Sequence, residues 1–223
     1  MGKAGRLAAR RDYGSFLPGS SSFSSFIYES ILVVARGEHV DYWNRLGWKD
    51  LFSVLVYTER QRQYATGLGT GSYTPQAVVN GRYELMSSRT VEPVATEVKA
   101  AKTPQVSVSI TATGGTAQVW KCPLPVGNPD AQVVLVTTES GLASQVGRSE
   151  NSGRPLRHTS VVRQLSVLGK VGADGTFVAT PELKMNPDWK LPDLRAVALV
   201  QEISSRRIVG AIIVPLTAIT SSM

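Results

Sequence analysis

Residues 71–85, GSYTPQAVVNGRYEL, contain the pattern that decides the fold. Thr74-Pro75 predicts a turn that introduces a strand, and the apolar residues that follow continue it. Asn80-Gly81 supplies the two positive-φ residues that a type I′ hairpin turn requires. The stretch therefore predicts a turn, a strand, a hairpin turn and a second strand.

The residues before this unit predict a strand and a helix. Ile and Val are frequent in residues 31–35, which indicates a buried strand. Thr58 and Gln61 have the spacing of a capping box, and Gly67 and Gly69 are stop signals. A strand, a helix and a hairpin introduced by Thr-Pro make half of a thioredoxin-like fold. In that fold the proline peptide is cis, and the residue before it can pair with an extended peptide.

The pattern changes after AAKTPQ at residues 100–105. Short apolar runs, separated by Gly, Pro and Asp turns, indicate an antiparallel sandwich or barrel. We therefore predict an α/β thioredoxin-like domain over residues 1–103, with an atypical or incomplete first element at 1–38. An all-β sandwich domain is predicted over residues 104–223. The runs lie at residues 106–110, 117–120, 132–136, 161–167, 176–179, 196–200 and 208–214.

Composition excludes several function classes. The chain has 223 residues and a net charge of +7, but the charge is mostly scattered, which argues against a nucleic-acid partner. A single cysteine forbids an internal disulfide and a CxxC motif, and two histidines do not make a usual zinc site. No apolar run has the length of a membrane helix. We therefore expect no cofactor, no bound metal and no membrane span.

Three unusual strings carry a family resemblance: HVDYWNRLGWKD from His39, TERQRQYATGLG from Thr58 and YTPQAVVNGR from Tyr73. With GRSENSGRPLRHTSVVRQLSVLGKV at residues 147–171, they closely resemble the bacterial thioredoxin-like domain of unknown function 1223. The resemblance covers about residues 39–215. It implies a thioredoxin-like domain followed by a β-sandwich, and family members are usually exported, although no signal peptide is visible here. It implies no known reaction.

The chain departs from the family at its front. The resemblance implies a CxxC motif near residues 13–18, where this chain reads YGSFLP. A thiolate is the nucleophile of disulfide exchange, and Ser or Tyr hydroxyls do not replace it. Residues 1–38 are therefore either a divergent, redox-inactive front or the product of a frameshift or wrong start, with the family sequence resuming near His39.

Two function hypotheses follow. The first is a non-catalytic binding or structural module with no catalytic residues, whose partner is an extended peptide or a protein. The second is a thiol-disulfide oxidoreductase whose CxxC-bearing N-terminus is missing here. If residues 1–38 do not complete the sheet, an open strand edge beside the hairpin would favour self-association.

The candidate peptide or ligand site lies around the Thr-Pro turn. A polar pair of His39 and Asp41 on one side of a strand could shuttle a proton or fix a loop. Neighbouring aromatic side chains could line a groove or cover the core. The candidate residues are Thr74, Pro75, Tyr73, His39, Asp41, Tyr42, Trp43 and Trp48.

A weaker anion-binding hypothesis rests on Arg148, Arg154 and Arg157. The structural alternative is that Arg148 pairs with Glu150 and that the ENSGR turn joins the two domains. Cys122 has the pattern of a buried small apolar residue, and the sequence assigns it no role.

Overall fold

The computed structural model describes residues 26–28, 31–34, 36–86, 108–113, 116–121, 130–145 and 155–217. They form a mixed α+β fold with several sheets and, within these ranges, one α-helix. The elements are β1 (Phe26–Tyr28), β2 (Ile31–Val33), α1 (Leu55–Leu68), β3 (Gln76–Val79), β4 (Tyr83–Met86), β5 (Val108–Thr113), β6 (Thr116–Lys121), β7 (Ala131–Glu139), β8 (Leu142–Gln145), β9 (Pro155–His158), β10 (Val161–Lys170), β11 (Phe177–Ala179), β12 (Leu194–Glu202) and β13 (Ile208–Pro215).

A four-stranded antiparallel sheet in the order β10-β7-β12-β13 holds the core. Its central strands β7 and β12 pair along their whole lengths, with Leu135 opposite Ala198. Nearly every residue of these two strands is buried. Both strands are continuous apolar runs rather than alternating ones because both faces of the sheet are covered.

Different elements cover the two faces of this sheet. One face, which includes Val133 and Leu135, packs against Phe177 of β11 and against Leu183 and Trp189. The other face packs against α1 through Tyr57, which is buried and whose hydroxyl donates to the carbonyl of Val162 at 3.0 Å. Helix and sheet therefore share one apolar core.

A buried polar cluster also joins α1 to β12. The Arg60 guanidinium donates to Gln201 Oε1 at 3.3 Å and to the Tyr64 hydroxyl at 2.8 Å. Arg60 also lies 3.3 Å from the carboxylate of Glu38, which offsets the cost of burying its charge. The amide of Gln201 donates to the Tyr64 hydroxyl at 2.9 Å. The cluster fixes the helix on the sheet through the ion pair of Arg60 with Glu38 and the hydrogen bonds of Gln201 and Tyr64.

Helix α1 starts earlier than the sequence predicted. It begins at Leu55 with Val54 as its N-cap residue, so the capping box at Thr58 and Gln61 is wrong. The reason is tertiary, because the Thr58 side chain bonds to Asp41 instead of capping the helix. The stop at Gly69 is confirmed, since this residue has φ +66°, whereas the stop at Gly67 is wrong because Gly67 lies inside the helix.

The β3–β4 hairpin confirms the turn prediction. Val79 pairs with Tyr83, and Asn80 and Gly81 have φ +51° and +66°. The tip of the hairpin docks on the turn between β12 and β13, where the amide of Ile208 donates to the carbonyl of Asn80 at 2.9 Å. Gly81 is buried there, and a Cβ atom on it would lie 2.1 Å from the carbonyl oxygen of Arg206. Only glycine fits this contact.

The remaining sheets are small. β11, β6 and β5 form a three-stranded antiparallel sheet, and β8 pairs with β9. Within the described residues β1 pairs with β2, and β3 with β4. A parallel bridge from Gly37 to Val161 joins the segment after β2 to the edge of the four-stranded sheet.

The strands expected in residues 106–214 are confirmed as antiparallel strands, and the β8–β9 hairpin was not predicted. The α+β character is established. The boundary at residues 103–104 and the motif region at 13–18 lie outside the described residues.

Candidate functional site

The loop before β3 is held on helix α1. Nε2 of Gln61 donates to the carbonyl of Tyr73 at 2.7 Å and to Gln76 Oε1 at 3.0 Å. Gln76 in turn donates to the carbonyl of Gly71 at 3.1 Å. The Thr74-Pro75 peptide bond in this loop is cis, as the family resemblance led us to expect. The loop is therefore positioned by side chains rather than by strand pairing.

Trp43 reaches this loop from the segment before α1. Its indole N–H donates to the Thr74 hydroxyl at 2.6 Å, and its side chain stays 46% exposed. Thr74 and Pro75 are also exposed. Within the described residues no hydrogen bond involves the backbone N–H or carbonyl of Thr74. The structure thus brings Tyr73, Thr74, Pro75 and Trp43 together, and the backbone N–H and carbonyl of Thr74 are accessible there.

The segment from Trp43 to Val56 carries most of the exposed large apolar side chains of the described residues. Among the described residues ten large apolar side chains are exposed, and six of them lie in this segment. A concentration of exposed apolar side chains marks interaction sites more often than scattered single residues do. The six are Trp43, Leu46, Leu51, Val54, Leu55 and Val56.

A concavity of about 540 Å³ adjoins the loop and is lined by Asp41, Tyr42, Arg45, Arg62 and Ser72. Tyr42 is next to Trp43 in the chain, and the two rings lie 5.3 Å apart. Sequence reasoning included Asp41 and Tyr42 but missed both arginines. Exposed arginines on a short turn and on a helix carry no signal in the sequence that separates them from other surface charges.

His39 pairs with Asp50 and not with Asp41. Nδ1 of His39 lies 2.6 Å from the Asp50 carboxylate, whereas the backbone N–H of Asp41 donates to the Thr58 hydroxyl at 3.0 Å. The interpretation of His39 and Asp41 as one polar pair is therefore wrong. Both side chains fix the loop that carries Trp43.

The chain's two histidines meet at the contact between this loop and the β8–β9 hairpin. The rings of His39 and His158 have centroids 5.2 Å apart, and Phe52 packs edge-on against both. The buried ring of His158 also forms a hydrogen bond between its Nε2 and the hydroxyl of Ser144 at 2.7 Å. Because Ser144 is buried as well, this pair has a structural role.

Burial and charge shift two pKa values in this cluster. Burial lowers the pKa of His158 below 6.5, the charge of His39 lowers it further, and Asp50 opposes both. Burial acts to raise the pKa of Asp50, but the hydrogen bond and charge of His39 outweigh it and lower the pKa below 3.8. The neutral ring of His158 and the ionised carboxylate of Asp50 are thus favoured in the folded protein.

The other candidate residues lie elsewhere. The indole N–H of Trp48 donates to the carbonyl of Gln145 in β8 at 3.1 Å, so Trp48 contacts the second half of the chain. Arg157 is exposed on β9 opposite Ala143. Arg148, Arg154 and Cys122 lie outside the described residues.

The described ranges lack two further features. They contain no group of three or more His, Cys, Asp or Glu side chains that could hold a metal ion. They also contain no helix with the length and apolar character needed to cross a membrane.

The chain is therefore a strand-rich α+β protein. An exposed loop and a tryptophan indole meet at its surface, next to the start of the β3–β4 hairpin. Residues 18–201 match the model of the family described as protein of unknown function DUF1223. The chain therefore belongs to this family. The match begins at Pro18, before the expected start near His39, so residues 18–38 are part of the matched region.

Among solved structures, the chain is similar to the crystal structure of a protein from Agrobacterium tumefaciens. The two share 26% sequence identity and a TM-score of 0.63, over 81% of this chain and 79% of the other. No curated protein matches the chain.

Proposed function

We propose that this protein is a redox-inactive, thioredoxin-like binding module that holds an extended polypeptide against Thr74 and the neighbouring apolar surface. The observation that carries the proposal is the concentration of exposed apolar side chains between Trp43 and Val56, joined to Thr74 by the indole hydrogen bond. The order of helix, Thr-Pro loop and hairpin supports the thioredoxin-like assignment.

An extended polypeptide binds such a position by adding backbone hydrogen bonds and placing alternate side chains in contact with the surface. The backbone N–H and carbonyl of Thr74 are the groups that would pair with it. Trp43 would supply a rigid, partly apolar contact, because an indole buries much area at a small cost in conformational entropy. The Gln61 hydrogen bonds pre-form the loop, so that little ordering remains to oppose binding.

Disulfide exchange is a poor match for the same surface. The reaction needs a thiolate, and this sequence has one cysteine, Cys122. We therefore expect the protein to show no reduction of insulin disulfides above the rate in buffer. Clear turnover would contradict the redox-inactive assignment and favour an oxidoreductase.

Binding is tested by fluorescence anisotropy with a labelled peptide of alternating threonine and valine. We expect saturable binding that is lost when alternate backbone nitrogens of the peptide are methylated, because methylation removes the N–H donors. Equal binding of the methylated peptide would show that no backbone pairing occurs.

Two tryptophan variants locate the site. Trp43→Phe removes the donor to Thr74, and we expect the Kd for the unmethylated peptide to rise about threefold to tenfold. Trp48→Phe is the matched control, because its indole bonds to Gln145 instead, and its Kd should equal that of the parent. A higher Kd for Trp48→Phe than for Trp43→Phe would place the peptide on the β8 side of the molecule.

A further inference from the structure

The concavity beside Thr74 has unpaired positive charge. Arg45 lies in the short turn at Asn44–Leu46 and Arg62 lies in α1, yet both line the same hollow. Both are exposed, and neither forms an ion pair or a hydrogen bond with any part of the chain that the structure describes. Two guanidinium groups without an ion-pair partner that line one hollow are typical of sites for anions.

The acid in this hollow is already engaged. The carboxylate of Asp41 accepts a hydrogen bond from the Thr58 hydroxyl. The backbone N–H of Asp41 donates to the same hydroxyl. No ion pair joins it to Arg45 or Arg62 within the described residues. The two arginines therefore keep an excess of positive charge over the single carboxylate.

A residue that lines the same hollow carries a buried hydroxyl without a partner in the described part of the chain. The hydroxyl of Tyr42 is shielded from solvent and forms no hydrogen bond with the described residues. Buried polar groups in folded proteins are nearly always paired, and this hydroxyl is an exception next to the hollow.

The position of the hollow links it to the polypeptide site. Ser72 lines it two residues before Thr74, and Tyr42 precedes Trp43. We infer that the polypeptide bound at Thr74 extends into this hollow, that it is acidic, and that Arg45 and Arg62 bind one of its carboxylates. This inference names the ligand chemistry and rests on the proposed function.

The inference is tested with three labelled peptides of the alternating threonine and valine design, all with unmethylated backbones. One carries central glutamines and an amidated C-terminus, the second carries glutamates in the same places, and the third has glutamines and a free C-terminus. We expect a peptide with a carboxylate to bind about tenfold more tightly than the neutral peptide. The second and third peptides distinguish a side-chain carboxylate from a terminal one.

The double variant Arg45→Gln with Arg62→Gln should bind all three peptides with the affinity of the neutral one. Arg82→Gln is the control, since it removes the same kind of charge at the other end of β3, where Arg82 stacks on Tyr83. We expect Arg82→Gln to retain the preference for a carboxylate. Raising the salt concentration should weaken the parent's preference and leave neutral binding unchanged.

The outcomes separate the two proposals. Equal affinity of the parent for all three peptides would overturn the acidic specificity and leave polypeptide binding in place. A preference that survives in the double variant would also overturn it. Absence of binding by any peptide would overturn both proposals. Far-ultraviolet circular dichroism of each variant verifies that these exposed substitutions leave the fold intact.

Discussion

Replacing Gly81 by alanine should separate the β3–β4 hairpin from the rest of the protein. The new Cβ would lie 2.1 Å from the carbonyl oxygen of Arg206 and 2.9 Å from its carbon, both of which are backbone atoms. A contact of this length forces the chain apart, because neither atom belongs to a flexible side chain. Gly81 also has φ +66°, which alanine adopts only with strain.

The cost has three parts. The left-handed backbone costs about 1–2 kcal/mol for alanine. Overpacking against the Arg206 carbonyl costs about 1–3 kcal/mol. Loss of the hydrogen bond from Ile208 to Asn80 adds about 0.5–1.5 kcal/mol. Together they lower the free energy of unfolding by about 3–6 kcal/mol, and Tm by about 6–24 °C for a chain of this size.

The assay is urea unfolding followed by circular dichroism and tryptophan fluorescence. Amide hydrogen exchange supplies a local measurement, because the N–H of Ile208 should exchange faster once its acceptor has moved. Gly67→Ala is the control, since no atom lies within 4 Å of its Cβ position inside α1. We expect it to raise stability by up to about 1 kcal/mol. A Gly81→Ala protein as stable as the parent would refute the docking of the hairpin on the β12–β13 turn.

Two further predictions concern the contact between the loop and the sheet. Because the pKa of His158 is lower in the folded protein than its usual 6.5, the unfolded chain binds a proton first as pH falls. Stability should therefore decrease below pH 6.5, and Asp50, whose pKa is also lowered, should add a second decrease below pH 3.8. Urea midpoints measured across this range test both, and His158→Gln should remove the first decrease only. Tyr57→Phe deletes the donor to the buried Val162 carbonyl and should cost about 1–2 kcal/mol by the same assay. Tyr83→Phe, at a 36% exposed position, should change stability by less than about 0.5 kcal/mol, and equal effects would argue against the buried hydrogen bond.

Local chemistry predicted the parts of the fold that depend on neighbouring residues. Asn80-Gly81 specified its turn because both residues tolerate positive φ. Gly69 ended α1 for the same reason. The apolar runs of β7 and β12 were recognisable as strands because their length and composition suit a sheet covered on both faces.

Contacts between distant residues were not predictable from local pattern. Thr58 looked like a helix cap until Asp41 was seen to bond to its side chain. The rings of His39 and His158 are in contact although more than half of the chain separates them, and the sequence around neither histidine predicts this contact. The same holds for the candidate site. Its Thr74-Pro75 turn was predictable from the sequence, but the hollow lined by Arg45 and Arg62 was not, because it forms only after α1 has packed.

The shared core of α1 and the four-stranded sheet has a consequence during synthesis. Tyr57 bonds to a residue 105 positions later and Arg60 to one 141 positions later. At a ribosomal rate of about 5–20 residues per second, the helix leaves the ribosome roughly 7–28 s before its last partner strand is made. During that interval the face of α1 that carries Tyr57 has no sheet to pack against. A nascent-chain chaperone is the factor that would shield this face. The yield of native protein should therefore rise with the supply of that chaperone.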